Sequence, residues 1–191
     1  MINSFSELIQ SRRSIRKYQN KPVEREKILK CVEAARLAPS AENVQPWRFI
    51  ILDKSAIITE FSLHAFSGIY SPTKFAAKAP VIIVILGKLD ILANRIGKQI
   101  QGVHFYLLDL GIAGEHLVLQ AQALGLGTCW IGWFNIRRVR KFLKIPRNYK
   151  IVTLISMGYP GEVKTKQKKR YQLEDIAWFN SFKNNKIKKT D

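Results

Sequence analysis

Apolar positions along the chain follow two periods, and the breaks between them predict a mixed set of helices and strands. Phe5, Leu8 and Ile9 follow Asn3 and Ser4, which predicts a short capped helix ending near Ser11. A basic, polar string comes next, Arg12-Arg13-Ser14-Ile15-Arg16-Lys17-Tyr18. Pro22-Val23-Glu24 opens a second helix with Ile28, Leu29, Val32 and Ala35 at helical spacing. It stops before Pro39, since the residue preceding a proline is pushed out of the helical region. A polar loop over 39–46 runs into a strand, Trp47–Leu52. A helix over 55–66 and a Gly/Ser/Pro-bearing segment over 67–74 follow. The β-branched run over 80–86 reads as a buried strand.

The clearest helix spans 102–124. Val103, Leu107, Leu110, Gly114, Leu117, Val118 and Ala121 share one side, and Leu124 extends it. Gly111 and Gly114 inside it cost roughly 1 kcal/mol each against alanine, which close approach of another helix would offset. Gly125-Leu126-Gly127 ends the helix and feeds a strand over 128–132. A basic amphipathic helix over 136–143 and a last core strand over 150–157 complete the pattern. After Gly158-Tyr159-Pro160-Gly161 the chain turns polar and basic, with one apolar patch over 173–182. Strict βαβ alternation is absent, so the expected class is α+β, with one domain over 1–182 and a short basic tail over 183–191.

At 191 residues the chain can bury a full core without staples, and 47% hydrophobic against 24% charged residues is a globular balance. Two distant cysteines, Cys31 and Cys129, exclude a disulfide scaffold, a four-cysteine zinc site and a CxxC redox motif. The first thirty residues are too charged for a secretory signal, and no apolar run reaches the ~18 residues of a spanning helix. A cytoplasmic protein with no membrane partner is expected. The charge is the outlier: 32 Lys+Arg against 14 Asp+Glu give +18, and 16 basic against 4 acidic residues fall from Arg137 onward. Such a surplus suits a polyanion partner if it clusters on one face, and a solvated lysine-rich surface if it does not.

Side-chain catalysis has few candidates. His64, His104 and His116 lie in predicted helices without an H-E-x-x-H pattern, so no metal is expected, and no G-x-S-x-G elbow occurs. Gly125-x-Gly127 lacks the third glycine of a dinucleotide fingerprint and precedes a strand instead of following one. Cys31 and Cys129 read as buried, inert thiols, and Trp130 and Trp133 read as buried in or beside a core strand. An enzyme with no acid, base or nucleophile of its own needs a cofactor to carry the reaction. Three places could grip an anionic, planar ligand. Arg12, Arg13, Ser14 and Arg16 follow a helix end; Ser40, Asn43 and Gln45 crowd one loop; Lys168 and Arg170 form a late basic pair.

Taken together, these strings resemble the FMN-dependent nitroreductase family. The matching residues are Arg12 to Tyr18, the run Ala34-Ala35-Arg36-Leu37-Ala38-Pro39-Ser40-Ala41-Glu42-Asn43-Val44-Gln45-Pro46-Trp47-Arg48-Phe49, and Ala123 to Gly132. Gly158-Tyr159-Pro160 and the Lys168-x-Arg170 pair follow in the family's order. The P-S-x-x-N-x-Q-P-W string is the specific element. The resemblance implies a three-layer α-β-α fold around a central mixed, mainly antiparallel sheet, with a C-terminal segment embracing the partner of a homodimer. It implies that Arg12 and Ser14 hold the FMN phosphate with Lys168 and Arg170, and that Arg13 also touches the cofactor. Arg16 would reach the pyrimidine side and favour the reduced, anionic flavin. Pro39, Ser40, Ala41 and Asn43 would come from the other subunit, with Gln45 at the end of that loop. The backbone N–H of Gly132 would face flavin N5, beside Ile131, where some branches carry an acidic residue.

Gly132 and Arg16 are thus the implied catalytic groups. The implied reaction passes hydride from NAD(P)H through N5 to an electron-poor acceptor such as a nitroaromatic or quinone, by a ping-pong route. Phe66, Tyr70 and Lys74 are candidates for the pocket wall, and the segment over 67–98 lacks the long insertion that caps some family members. Two alternatives stay open: a flavin-binding protein without nicotinamide-driven turnover, and a nucleic-acid-binding protein using the basic C-terminal third. No specific nucleic acid is expected under the nitroreductase resemblance.

Overall fold

The computed structural model describes residues 4–88, 103–162, 169–182 and 185–186. Four strands, β1 (Trp47–Leu52), β2 (Val81–Lys88), β3 (Gly127–Ile131) and β4 (Tyr149–Gly158), form one sheet in the order β1-β2-β4-β3. All three pairings are antiparallel. The expected parallel component reduces to one bridge, Ser14 beside Thr128, on the outer edge of β3.

The sequence of β2 dictates the layering. Val81, Ile83 and Ile85 point to one core, with α2 (Arg25–Arg36) and α4 (Phe105–Ala123). Ile82, Val84 and Leu86 point to a second core, with α3 (Ser55–Ala65) and α5 (Ile136–Phe142). A strand covered on both faces has no polar side, which is why its sequence is apolar throughout; each such side chain contributes about 1.5–3 kcal/mol on burial. Between Ile85 and Leu86 of β2 the register on β4 shifts, from Thr153 to Ile151, so Val152 is an extra residue. Such a bulge bends the strand and increases its twist. The three-layer α+β arrangement is the one expected.

Around this core the boundaries fall close to expectation. In α1 (Phe5–Ser11) the Ser4 hydroxyl accepts the Glu7 N–H as a cap. Gly125, at φ +75°, takes the left-handed turn that stops α4. Residues Gly68–Lys78 wind as successive 3-10 turns around Pro72. Beyond β4, a four-residue helix α6 (Leu173–Ile176) leads into a small hairpin of β5 (Trp178–Phe179) and β6 (Asn185–Lys186). No described helix is long and apolar enough to cross a membrane.

Several helical faces are rotated from the periodic reading. Leu29 is exposed, and Cys31 takes its place in the core of α2. Val103 and Leu107 are also exposed, and Leu107, Leu108 and Ile112 form an uncovered apolar strip around Gly111 on α4. Gly114 does not face another helix: a Cβ there would stand 2.2 Å from Trp130 Cη2, so glycine makes room for the indole. A Cβ at Gly111 would meet nothing within 4 Å.

Both cysteines are buried and unpaired. Burial pushes the Cys31 thiol from an ordinary 9.0 up to about 12. Burial also raises Cys129, with Arg16 and Arg12 pulling the other way. Neither thiol is expected to be alkylated at pH 8 in the folded protein, and both should react fully in denaturant, as mass spectrometry would show. The unfolded chain ionises Cys31 first, so the thiol's contribution to stability is intact below about pH 9 and lost as pH rises towards 12.

Candidate functional site

The basic string leaves the end of α1 and lies along the edge of β3. Its register is set by Ile15, which is buried and donates its N–H to Thr128 O at 2.8 Å. Tyr18 then locks the far end. Its hydroxyl donates to Ile15 O at 2.7 Å and lies 2.7 Å from Ser156 Oγ on β4. Burial holds the Tyr18 phenol well above its ordinary value, the Ser156 bond acting in the opposite sense, so it stays protonated at working pH. Gln19 N to Tyr159 O and Gly161 N to Lys17 O, at 3.0 and 2.9 Å, continue the clamp. With Ile15 and Tyr18 turned inward, Ser14 and Arg16 face solvent.

This packing brings three of the expected residues to one edge. Ser14 pairs with Thr128, and the Arg12 and Arg16 guanidinium groups both act electrostatically on Cys129, the next residue of β3. Arg12 Nε lies 3.6 Å from Glu115 Oε1 on α4, and the Arg16 guanidinium lies 5.7 Å from the centre of the Phe75 ring. Arg13 turns back on α1: its Nη1 donates to Gln10 O and Arg12 O, while its Nε is buried without a partner. Gly132 lies one residue past the last β3–β4 pair, Ile131 with Leu154, and a Cβ there would meet nothing within 4 Å. Arg12, Ser14 and Arg16 thus set two guanidinium groups and a hydroxyl on one edge, donors of the kind that bind a phosphate.

The second expected cluster is a separate loop. Ser40 Oγ accepts Gln45 N–H at 2.9 Å, and Gln45 Nε2 donates to Asn43 Oδ1 at 3.0 Å. Glu42, Asn43 and Gln45 all take positive φ, 51°, 55° and 49°. Three such non-glycine residues cost about 1–3 kcal/mol each, and strain of this kind gathers at ligand clamps. Pro39, Ser40 and Ala41 lead into that turn, and Ala41 N–H donates to Asp109 Oδ1 on α4 at 3.1 Å. No described contact joins this loop to Arg12, Ser14 or Arg16 of the same chain. Arg170 is exposed and donates to Lys169 O, and Lys168 lies outside the described residues.

Around Gly132 two expectations change. Trp133 is 54% exposed: its indole Nε1 donates to Ile69 O at 2.9 Å and its ring lies 5.3 Å from that of Tyr70. Phe66, at the C-terminal end of α3, is fully buried, whereas Lys74 is exposed. Two clefts lie elsewhere. One of about 830 Å³ opens between α2 and β1, with Leu29, Val32, Val44, Gln45 and Phe49 in its wall. Another of about 590 Å³ lies between Tyr18–Val23 and the start of α3. Asp109 and Phe75 carry no signal in residue type or spacing, and Tyr18 stands in the sequence only as the end of the basic string.

The nitroreductase family model matches residues 9–159. The chain is 30% identical over 177 residues to an NADH dehydrogenase of Thermus thermophilus, covering 79% of this chain and 84% of that protein. It is similar to the solved FMN-dependent nitroreductase of Clostridium difficile R20291, at 32% identity and a TM-score of 0.73, covering 92% of this chain and 98% of that one. A nitroreductase family protein of Clostridium difficile 630 superposes with a TM-score of 0.78 at 30% identity, over 94% of this chain and 99% of that one. The chain belongs to the nitroreductase family of oxidoreductases.

Proposed function

We propose that the chain is an FMN-dependent oxidoreductase, working as a homodimer, that takes hydride from NAD(P)H and delivers it to an electron-poor acceptor such as a nitroaromatic or quinone. The observation that carries this is the clamping of residues 12–18 against β3, which sets two arginines and Ser14 along the strand that ends at Ile131, next to Gly132. When bound, FMN supplies the two-electron chemistry that no side chain here has. Arg12 and Ser14 hold its phosphate, joined by Arg170 and Lys168, and Arg13 supports the same turn. Arg16 provides a fixed positive charge where electron density collects, and the Gly132 N–H is assigned to N5 beside Ile131.

A second subunit supplies Pro39, Ser40, Ala41, Asn43 and Gln45. The uncovered strip Leu107, Leu108 and Ile112 on α4 supports a dimer, as do the exposed Leu173, Ile176, Phe179 and Phe182 of the C-terminal segment. One catalytic domain over 1–182 and a basic tail over 183–191 complete the arrangement. A cytoplasmic location suits two unpaired, buried thiols. Donor and acceptor would visit one open face in turn, giving ping-pong kinetics.

The purified protein should be yellow, and the colour should bleach on anaerobic addition of NADH or NADPH. A flavin spectrum that stays oxidised with both nicotinamides would leave binding without turnover. A colourless protein that also refuses added FMN would overturn the proposal.

A further inference from the structure

Among the described residues, Asp109 is the one carboxylate in the buried set, 5% exposed on a helix whose other inward residues include Leu110, Ala113 and Leu117. Burial raises its carboxyl, and the bond from Ala41 N–H works against that rise. A carboxylate kept in such a place needs a partner that repays its lost hydration. Its partner is the backbone of the strained loop, 68 residues away in sequence.

The other hydrogen bonds of that loop are local. Asn43 N–H donates to Ser40 O and Val44 N–H to Ala41 O, both at 3.0 Å, and Gln45 N–H donates to Ser40 Oγ. Arg48, three residues on, donates to Gln45 O. Such bonds hold the turn together but move with it. Pro46 O, which accepts Lys88 N–H at 2.8 Å, fixes only the exit into β1. The bond to Asp109 is therefore the described long-range tie on residues 40–45, and it sits at the entrance to the left-handed turns.

We propose that Asp109 is a positioning residue for the cofactor: its carboxylate fixes Ala41, and through it the strained turn that presents Ser40, Asn43 and Gln45 to the flavin. This rests on assigning the 39–45 loop to FMN. Oδ1 acts as a hydrogen-bond acceptor, so an amide in its place keeps the tie and a methyl group does not.

The test compares Asp109→Ala, Asp109→Asn, Asn43→Ala and Arg12→Ala for FMN affinity of the apoprotein by flavin fluorescence quenching, with melting temperatures and amide exchange at Ala41. Asp109→Ala should weaken FMN about tenfold or more, the worth of one hydrogen bond to a charged group. Asp109→Asn should stay within about threefold, since its carbonyl retains an acceptor. The Ala41 amide should be protected in the parent and in Asp109→Asn, and should exchange faster in Asp109→Ala. Unchanged FMN affinity in Asp109→Ala, or equal losses in both Asp109 variants, would overturn the proposal. If Asp109→Ala does not fold, an unprotected Ala41 amide in the parent overturns it equally. Unchanged affinity in Asn43→Ala and Arg12→Ala would instead overturn the site assignment beneath it, so the two failures are distinguishable.

Discussion

Replacing Arg12 and Arg170 together by alanine is expected to weaken FMN binding by about two to four orders of magnitude while leaving the fold nearly as stable. Each arginine can give a phosphate charge-assisted bonds worth roughly 1.5–3 kcal/mol, and 1.4 kcal/mol is tenfold in affinity. Little stability is at stake. The Arg12–Glu115 pair is 3.6 Å long with its glutamate 45% exposed, the kind of contact worth ~0–1 kcal/mol. Arg170 is exposed, and its described bond goes to the adjacent Lys169 carbonyl. Because the two effects separate, titration of apoprotein with FMN beside a thermal melt decides the matter. Full retention of FMN affinity in the double variant would remove the phosphate assignment. A tenfold loss in Arg12→Ala and none in Arg170→Ala would restrict the phosphate grip to the α1–β3 edge.

Much of the fold was legible because local and tertiary demands agree. β2 must be apolar on both sides, so its run of β-branched residues leaves no other reading. Gly125 is placed where only a left-handed turn can end α4. The failures share a cause too. A helical period identifies an apolar face but not which edge of it meets the sheet, so Leu29, Val103 and Leu107 share the apolar spacing and yet are exposed. A glycine shows that space is needed without showing what fills it, and at Gly114 it is the Trp130 ring. Trp133 is turned outward by the 3-10 segment that its indole grips, a contact between residues 64 apart in sequence.

The site divides along the same line. Arginines and a serine after a helix end suggest an anion grip by residue type and short spacing, and the fold sets Arg12, Ser14 and Arg16 on one edge. The strain in the polar loop is less visible: Asn43 tolerates positive φ, but Glu42 and Gln45 give no such signal. Asp109 was hidden for a different reason, since a single acidic residue in an apolar helix looks like a solvent-facing position until the helix is docked.

Gly127→Ala should cost stability and FMN affinity at once. A Cβ at this position would stand 2.5 Å from Ile15 Cγ1 and 2.8 Å from Ile15 Cβ. The obstacle is the branch point of a stiff, buried side chain, so rotamer change cannot relieve it and the backbone of residues 14–16 must move. Overpacking of this kind costs about 1–3 kcal/mol. The displaced backbone is the stretch that donates Ile15 N–H to Thr128 O and carries Ser14 on one side and Arg16 on the other. FMN affinity should therefore fall about tenfold or more as phosphate and ring contacts lose their alignment. The expected pair of results is a lowered melting temperature without FMN and a smaller rise in melting temperature when FMN is added. A variant that melts early yet gains the parent's full increment from FMN would count against residues 12–16 as the flavin's holders, because the three atoms nearest the new methyl group all belong to Ile15.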